Sequence, residues 1–352
     1  MPSTEFNAPH PPRCNRLTNA ACLVVAFTYC AGFHGFSIES IFLNRSVARD
    51  EPMRMGVMIG ADGNNTTLDD VIGVAKRVED IGLDDVWLAN IFSFDAISTL
   101  AIIGRETQRI GLGTAVTPTY PRHPTAIAQQ AMTTAAASDN RFTLGIGLSH
   151  KIVIEDMFGF SYDKPARHMQ EYLSVLMPLV RGETVNFQGE QYRVNGVTLD
   201  VPGADPLQVV VAALGPVMLK LAGSLADGTN TWMVGPKTME EHIVKRMRDA
   251  AAGRDDPKIV GGFPIILTNK PDEARAKIAE GLTIYGQLPS YRAMLDREGV
   301  TGPADIAIVG DENLLRGELR RLENIGVTHF NAAIMGVEAG AYDRTLEFLA
   351  SI

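Results

Sequence analysis

From Met55 onwards, short apolar runs alternate along the chain with segments of helical periodicity. The segment 68–81 shows the helical pattern clearly, with apolar residues on one side and charged residues between them. Apolar runs without internal alternation are typical of parallel strands that are buried on both faces. Eight strands are predicted, at residues 55–60, 83–90, 110–116, 141–147, 207–213, 229–234, 259–268 and 327–334. Eight strand–helix units predict an α/β fold, a (β/α)8 TIM barrel.

Three stretches interrupt the alternation and predict loop insertions in this barrel. The period breaks at residues 150–165, residues 185–194 predict a hairpin, and residues 286–310 are irregular. The main alternative architecture is a doubly wound Rossmann sheet. It is disfavoured because no GxGxxG motif follows the first predicted strand.

Charge and residue usage exclude several kinds of site. The net charge is −9, whereas nucleic-acid-binding proteins usually present a basic face, so no nucleic-acid partner is expected. The three cysteines, Cys14, Cys22 and Cys30, all precede the predicted barrel, which therefore has no cysteine for a disulfide or a metal. The seven histidines are scattered without metal-ligand spacing, so no metal site is expected.

The N-terminal part of the chain differs from the rest. Because Met53 and Met55 directly precede the first predicted strand, we expect residues 1–52 to be a poorly ordered extension or a mis-assigned start, and residues 53–352 to form the barrel domain. An export or anchor segment is the alternative, since an apolar run follows two arginines here. That run is shorter than the roughly 20 residues of a membrane span, so no stable membrane association is expected.

The carboxyl ends of barrel strands build the active site of TIM barrels, and unusual residues lie at several of these ends. His150 follows the fourth predicted strand directly after a glycine-rich segment, GIGLS. Leu214 and Gly215 follow the fifth, at a turn into a helix. The start of a helix presents unpaired N–H groups that suit a phosphate, although an ordinary tight turn would look the same in sequence.

The chain from Met55 to Ile352 resembles the luciferase-like monooxygenase superfamily, and within it the coenzyme F420-dependent oxidoreductases related to methylene-tetrahydromethanopterin reductase. The segments that carry the resemblance are residues 113–124, 141–150, 162–173, 211–223, 225–233 and 288–300. The resemblance implies that F420, a deazaflavin, lies across the carboxyl ends of the strands, with FMN as the alternative cofactor.

The same resemblance assigns cofactor-binding positions. It implies a non-prolyl cis peptide at Thr114–Ala115 that presses on the middle ring of the cofactor. The backbone of Leu214 and Gly215 would hold the phosphate. The small residues around Leu148 would line the other side of the ring, as a flat ring needs close approach; they are Gly147, Leu148 and Ser149.

Three residues are candidates for a catalytic role. His150 occupies the place where related sugar-phosphate oxidisers carry an acidic glutamate, and imidazole can exchange a proton near neutral pH, although a substrate-orienting or structural role is the alternative. Asn90 stands where many relatives have a histidine, and an amide can bond a cofactor carbonyl but cannot act as a base. Asp62 is a further candidate acid, or the cap of a turn.

These features predict a cytoplasmic oxidoreductase that transfers a hydride between reduced F420 and a small organic substrate. The resemblance implies a homodimer. An FMN-dependent monooxygenase on the same fold is the first alternative. A non-catalytic deazaflavin- or flavin-binding protein is the second, because Asn90 departs from the pattern of the relatives.

Overall fold

A computed structural model describes residues 51–60 and 67–352. The part of the predicted extension up to residue 50 and the candidate acid Asp62 lie outside the described residues. The described chain contains the predicted closed barrel of eight parallel strands. These are β1 Arg54–Ile59, β2 Asp85–Leu88, β3 Gly111–Thr114, β4 Phe142–Gly147, β5 Gln208–Val211, β6 Gly228–Trp232, β7 Lys258–Leu267 and β8 His329–Ile334. The ring closes because β7 pairs with both β6 and β8.

Helices cover the outside of the barrel and bury their apolar sides against it. Their α-helical parts span Leu68–Asp80, Ala96–Glu106, Pro124–Ala137, Pro165–Leu179, Pro216–Leu225, Pro236–Thr238, Lys245–Ala250, Pro271–Gly281, Pro289–Glu298, Glu312–Ile325 and Ala341–Ala350. Local sequence sets several of the boundaries. Asp95 and Asp311 each accept a backbone N–H of the first turn, and Gly326 ends its helix in the left-handed conformation.

Side chains from the strands fill the barrel interior, and Trp87 is the largest of them. This indole is 2% exposed, as expected for a core tryptophan. A Cβ at Gly113 of the neighbouring strand would lie 2.2 Å from its ring, so only glycine fits beside it. Nearer the amino ends of the strands, Arg54 pairs with Asp85 and the Lys258 ammonium donates to the Thr143 hydroxyl. The interior is therefore a packed core closed by charged and polar groups.

The third strand contains a bulge. A two-residue strand, Thr117–Pro118, continues β3 along β4 after a break. Gly113 pairs with Thr143 before the break and Thr117 pairs with Ile146 after it, so β3 has one residue more than β4 over this interval.

The non-prolyl cis bond of this bulge is Ala115–Val116. The prediction of Thr114–Ala115 was therefore wrong by one residue. The regular strand, predicted over residues 110–116, ends at Thr114, and the cis bond comes one residue later than predicted because Ala115 still donates its N–H to the Leu88 carbonyl.

Two of the three predicted insertions have more structure than expected. Residues 150–165 contain a π-helical turn, Ile152–Met157, instead of an irregular loop. Residues 286–310 contain the helix Pro289–Glu298 and a short strand, Ile308–Gly310, which pairs with the end of β7. The third insertion is the predicted hairpin, formed by strands Val185–Gln188 and Arg193–Val197.

Candidate active site

A cavity of about 1130 Å³ lies at the carboxyl ends of the barrel strands. Its walls come from the strand ends, from the π-helical insertion and from the segment before and within the helix Pro289–Glu298. Eight of the predicted site residues line it, namely Asn90, Ala115, Gly147, Leu148, Ser149, His150, Leu214 and Gly215. The structure thus brings together residues that are far apart in sequence, at the end of the barrel where TIM-barrel chemistry occurs.

Thr114 does not line this cavity, contrary to the sequence prediction. Its side chain is fully buried. The hydroxyl donates to the Gly145 carbonyl at 2.7 Å and accepts from the Gly145 N–H at 2.8 Å. Thr114 therefore joins β3 to β4 beneath the bulge, and the residues that reach the cavity from this strand are Ala115, Val116 and Pro118.

One wall of the cavity is formed by the bulge packed against Gly147. A Cβ at Gly147 would lie 2.6 Å from Cγ2 of Val116 and 3.1 Å from the Cβ of Ala212. Both distances are too short for an ordinary side-chain contact, so Val116 can occupy its position only because residue 147 is glycine. Gly147 therefore leaves space for the bulge, and it adds no side chain to this wall of the cavity.

A second part of the cavity surrounds the turn at Leu214 and Gly215. The helix Pro216–Leu225 begins here without a side-chain cap on its N-terminus. Proline is the first residue of the helix, so the N–H groups offered by the first turn are those of Val217 and Met218. A Cβ at Gly215 would meet no atom within 4 Å, which leaves open space beside this turn.

His242 holds this turn in place, which the sequence prediction missed. Its Nε2–H donates to the Leu214 carbonyl at 2.8 Å, and its Nδ1 accepts from Nε of Arg246 at 3.0 Å. Burial lowers the pKa of His242, although the bond to the Leu214 carbonyl opposes this effect. A neutral imidazole with this tautomer satisfies both contacts.

His150 projects into the cavity beside an aromatic side chain. Its ring lies 5.9 Å from the ring of Tyr291, centroid to centroid, at an angle of 56°. Burial lowers the pKa of His150, so the ring is mainly neutral at pH 7. A neutral imidazole at this position can accept or donate a proton or a hydrogen bond.

Asn90 combines a lining position with a structural role. Its Oδ1 accepts the backbone N–H of Ala96 at 3.0 Å, at the start of the helix Ala96–Glu106. The amide oxygen is therefore engaged in the protein, and a group in the cavity would be met by the Nδ2 donor.

Asn230 and Trp232 of β6 also line the cavity. Asn230 is 6% exposed, and within the described residues its Nδ2 has no hydrogen-bond partner. Sequence reasoning overlooked Asn230. Alternate residues of β6 point into the barrel. Trp232 is the last residue of this strand, so its side chain lies at the carboxyl end of the barrel and lines the cavity.

A buried cluster supports the cavity from behind Tyr162, one of its lining residues. Tyr120 stacks between Tyr162 and His168, with ring centroids 5.3 Å and 3.9 Å away. The ring nitrogens of His168 bond to the Thr119 hydroxyl at 2.9 Å and to Oε1 of Gln191 at 3.1 Å. Burial lowers the pKa of His168 to about 4, so this ring is a neutral packing element and not a proton carrier at pH 7.

No group of three or more histidine, cysteine or acidic side chains in the described part of the chain is arranged to hold a metal ion. Within the same residues, no helix has the length and apolar character needed to cross a membrane.

Comparison with known proteins identifies the family. The sequence profile of the luciferase-like monooxygenases matches residues 52–329. The chain is 31% identical over 240 residues to 5,10-methylenetetrahydromethanopterin reductase of Archaeoglobus fulgidus, covering 66% of this chain and 70% of the relative.

Solved structures at lower identity share the fold. The coenzyme F420 dependent tetrahydromethanopterin reductase of Methanopyrus kandleri matches with a TM-score of 0.71 and 20% identity, covering 85% of this chain and 98% of that one. The oxygenating constituent of 3,6-diketocamphane monooxygenase of Pseudomonas putida, in complex with FMN, matches with a TM-score of 0.67 and 15% identity, covering 85% and 97%. The matched profile and the relative in Archaeoglobus fulgidus show that the chain belongs to the luciferase-like monooxygenase family, a family of enzymes.

Proposed function

We propose that this protein is a coenzyme F420-dependent oxidoreductase that transfers a hydride between the reduced deazaflavin and a small organic substrate. The observation that carries the proposal is the pairing, in one cavity, of a bulge packed on Gly147 with the uncapped helix start at Gly215. The first suits a flat ring at close range, and the second suits a phosphate. The name of the Methanopyrus kandleri reductase supports F420 as the cofactor.

The residues present fit such a cofactor. Ala115, Val116 and Gly147 offer a thin apolar wall, and the space beside Gly215 is open. We infer that the N–H groups of the first helical turn hold the phosphate, while His242 fixes the turn through the Leu214 carbonyl. When bound, F420 supplies the hydride, and the protein positions it and excludes water.

His150 is the residue that we propose handles the proton. Its neutral ring can hold a substrate oxygen or pass a proton to it as the oxygen becomes more basic. Asn90 and Asn230 orient bound groups through their Nδ2 donors. Asp62 stays a candidate from the sequence alone.

A fluorescence titration tests the proposal, because Trp232 lines the cavity whereas Trp87 is buried in the barrel core. Oxidised F420 is expected to quench the emission with saturation, and the variant Trp232→Phe is expected to lose most of the quenching. In the same titration, the dissociation constant of FMN is expected to be at least tenfold higher than that of F420. Tight FMN binding with oxygen consumption would instead support an FMN-dependent monooxygenase.

Binding without turnover is the remaining outcome. If F420 bound but no hydride transfer occurred with any acceptor of a broad panel, a non-catalytic binding protein would be the better interpretation. The proposal also includes a cytoplasmic homodimer whose barrel domain spans residues 53–352. Light scattering in solution and N-terminal sequencing of the native protein test these points.

A further inference from the structure

The mouth of the cavity is bordered by exposed apolar side chains. Ile91, Phe92 and Phe158 line the cavity and are 56%, 68% and 40% exposed. Ile91 and Phe92 follow β2, whereas Phe158 follows the π-helical turn after β4. The rings of Phe92 and Phe158 meet edge to face, with centroids 6.3 Å apart. A contiguous group of large apolar side chains on a surface marks a binding site more often than a chance exposure. We call these three residues the apolar rim.

The described lining residues offer no free charge to a ligand. Arg122 is the one cationic side chain among them, and it is paired with Asp95. Asp95 is itself occupied, since it also caps the helix Ala96–Glu106. His150 is mainly neutral because burial lowers its pKa. An ionised group placed against the apolar rim, away from the helix start at Gly215, would therefore lose its hydration without gaining a counter-ion, which is costly.

Some polar atoms of the cavity lining are already engaged within the protein. Asn90 uses its oxygen to hold Ala96, and the Tyr162 hydroxyl donates to the Ser149 carbonyl at 3.2 Å. The Nδ2 of the buried Asn230 has no hydrogen-bond partner among the described residues, so it is a donor waiting for an acceptor. The Nδ2 donors of Asn230 and Asn90, the His150 ring and the apolar rim together suit a molecule with a hydrogen-bonding oxygen and an apolar body.

We propose that the substrate of this enzyme is an uncharged, largely apolar molecule with a hydrogen-bonding oxygen, whose apolar part lies against the rim of Ile91, Phe92 and Phe158. Calling this ligand the substrate rests on the proposed function. The binding site itself is independent of the identity of the cofactor.

Binding of straight-chain 2-alkanones to the full-length protein tests this. Isothermal titration calorimetry with 2-hexanone, 2-octanone and 2-decanone is expected to show dissociation constants that fall about fourfold per added methylene group, the value for a fully buried methylene. The carboxylate of equal length, 9-oxodecanoate, is expected to bind at least tenfold more weakly than 2-decanone. A constant affinity along the series, no binding at all, or equal binding of the carboxylate would overturn the proposal.

Variants of the rim locate the site. Phe92→Ser and Phe158→Ser are expected to reduce the dependence on chain length to less than twofold per methylene. Phe160→Ser is the matched control, because Phe160 is 45% exposed on the same insertion but lies outside the cavity lining. Equal behaviour of rim and control variants would refute the assignment. So would a change in oligomeric state with unchanged ketone binding, which would make the rim a subunit interface.

A parallel F420 titration of the same samples separates this proposal from the proposed function. Ketone binding with the expected dependence but without F420 binding would reject the cofactor and keep the apolar site. F420 binding without ketone binding would reject the apolar site and keep the cofactor.

Discussion

At the scale of single residues, the site depends on side chains that are absent as much as on those that are present. Gly113 leaves room for Trp87 in the barrel, and Gly147 leaves room for Val116 at the cavity wall. A glycine of this kind is needed for the space that it leaves and not for its backbone freedom, since neither residue has a positive φ.

The substitution Gly147→Ala is expected to displace Val116, because the new Cβ would lie 2.6 Å from Cγ2 of that residue. Overpacking of this kind costs about 1–3 kcal/mol in the free energy of unfolding. If the wall binds the cofactor ring, F420 affinity should also fall at least tenfold, as measured by fluorescence titration. Gly73→Ala is the control. No atom lies within 4 Å of a Cβ at this exposed helical position, so stability should be unchanged or higher, with unaltered affinity. Unchanged F420 binding by the Gly147 variant would contradict the assignment of this wall.

At the scale of elements, the hairpin formed by Val185–Gln188 and Arg193–Val197 is anchored by one carboxylate. Glu171, on the helix Pro165–Leu179, is 4% exposed and accepts the backbone N–H groups of residues 190, 191 and 192 at 2.8–3.1 Å. Burial acts to raise the pKa of Glu171, but these three bonds and the nearby Arg167 outweigh it and lower the pKa.

Glu171→Gln is expected to lower the free energy of unfolding at pH 7 by about 1.5–3 kcal/mol, the value for hydrogen bonds to a charged group. Because the pKa is lowered in the folded state, the carboxylate stabilises the protein above its unfolded pKa, about 4.3. This contribution is lost as the pH falls below that value. Urea denaturation at pH 7 and pH 3.5 should therefore show a smaller acid-induced loss in the variant than in the parent. The exposed Glu183→Gln should behave as the parent, and an equal loss in all three proteins would contradict the role of Glu171.

Sequence patterns predicted elements well where apolar periodicity was strong, and poorly where packing decides. All eight barrel strands were anticipated, because their apolar runs are buried on both faces. The helix Pro289–Glu298 was missed because its two buried residues, Met294 and Leu295, are adjacent and form no helical stripe.

The same distinction holds for the candidate site. Its location followed from the rule that active sites lie at the carboxyl ends of barrel strands, and eight predicted residues line the cavity. The orientation of individual side chains did not follow. Thr114 faces β4 and Trp232 faces the cavity, and both depend on the register of strands that are distant in sequence. Asn230 carries no motif in the sequence, and only the structure shows that its Nδ2 is buried without a hydrogen-bond partner among the described residues.

At the scale of the whole molecule, the two ends of the barrel have different chemistry. The described walls at the carboxyl end are largely apolar, whereas the amino end holds Arg54, Asp85 and Lys258. Burial lowers the pKa of Lys258 to about 8. The Lys258 ammonium loses hydration in this position, and this loss disfavours its charged form.

Lys258→Met is expected to remove a pH dependence of the global stability. Between pH 8 and about 10.4, the folded protein has released the Lys258 proton while the unfolded chain retains it, so the free energy of unfolding rises with pH. Urea denaturation at pH 7.5 and 9.5, at constant ionic strength, should show this rise in the parent and in Lys220→Met, an exposed control. The Lys258 variant should lack it and be at least as stable as the parent at pH 7.5. An identical rise in all three would contradict burial as the cause.

The extra residue of β3 has a consequence for how this enzyme can change. Up to the bulge, the odd-numbered residues 111, 113 and 115 point into the barrel. Beyond the bulge, the even-numbered residues 116 and 118 line the cavity. The strand thus changes the face that it presents at the point where the proposed cofactor lies. Insertion or deletion of a single residue here would exchange the inner and outer sets of side chains. Substitutions at Ala115, Val116 or Pro118 therefore change single contacts of this wall, whereas a change in the length of the strand would replace the whole set.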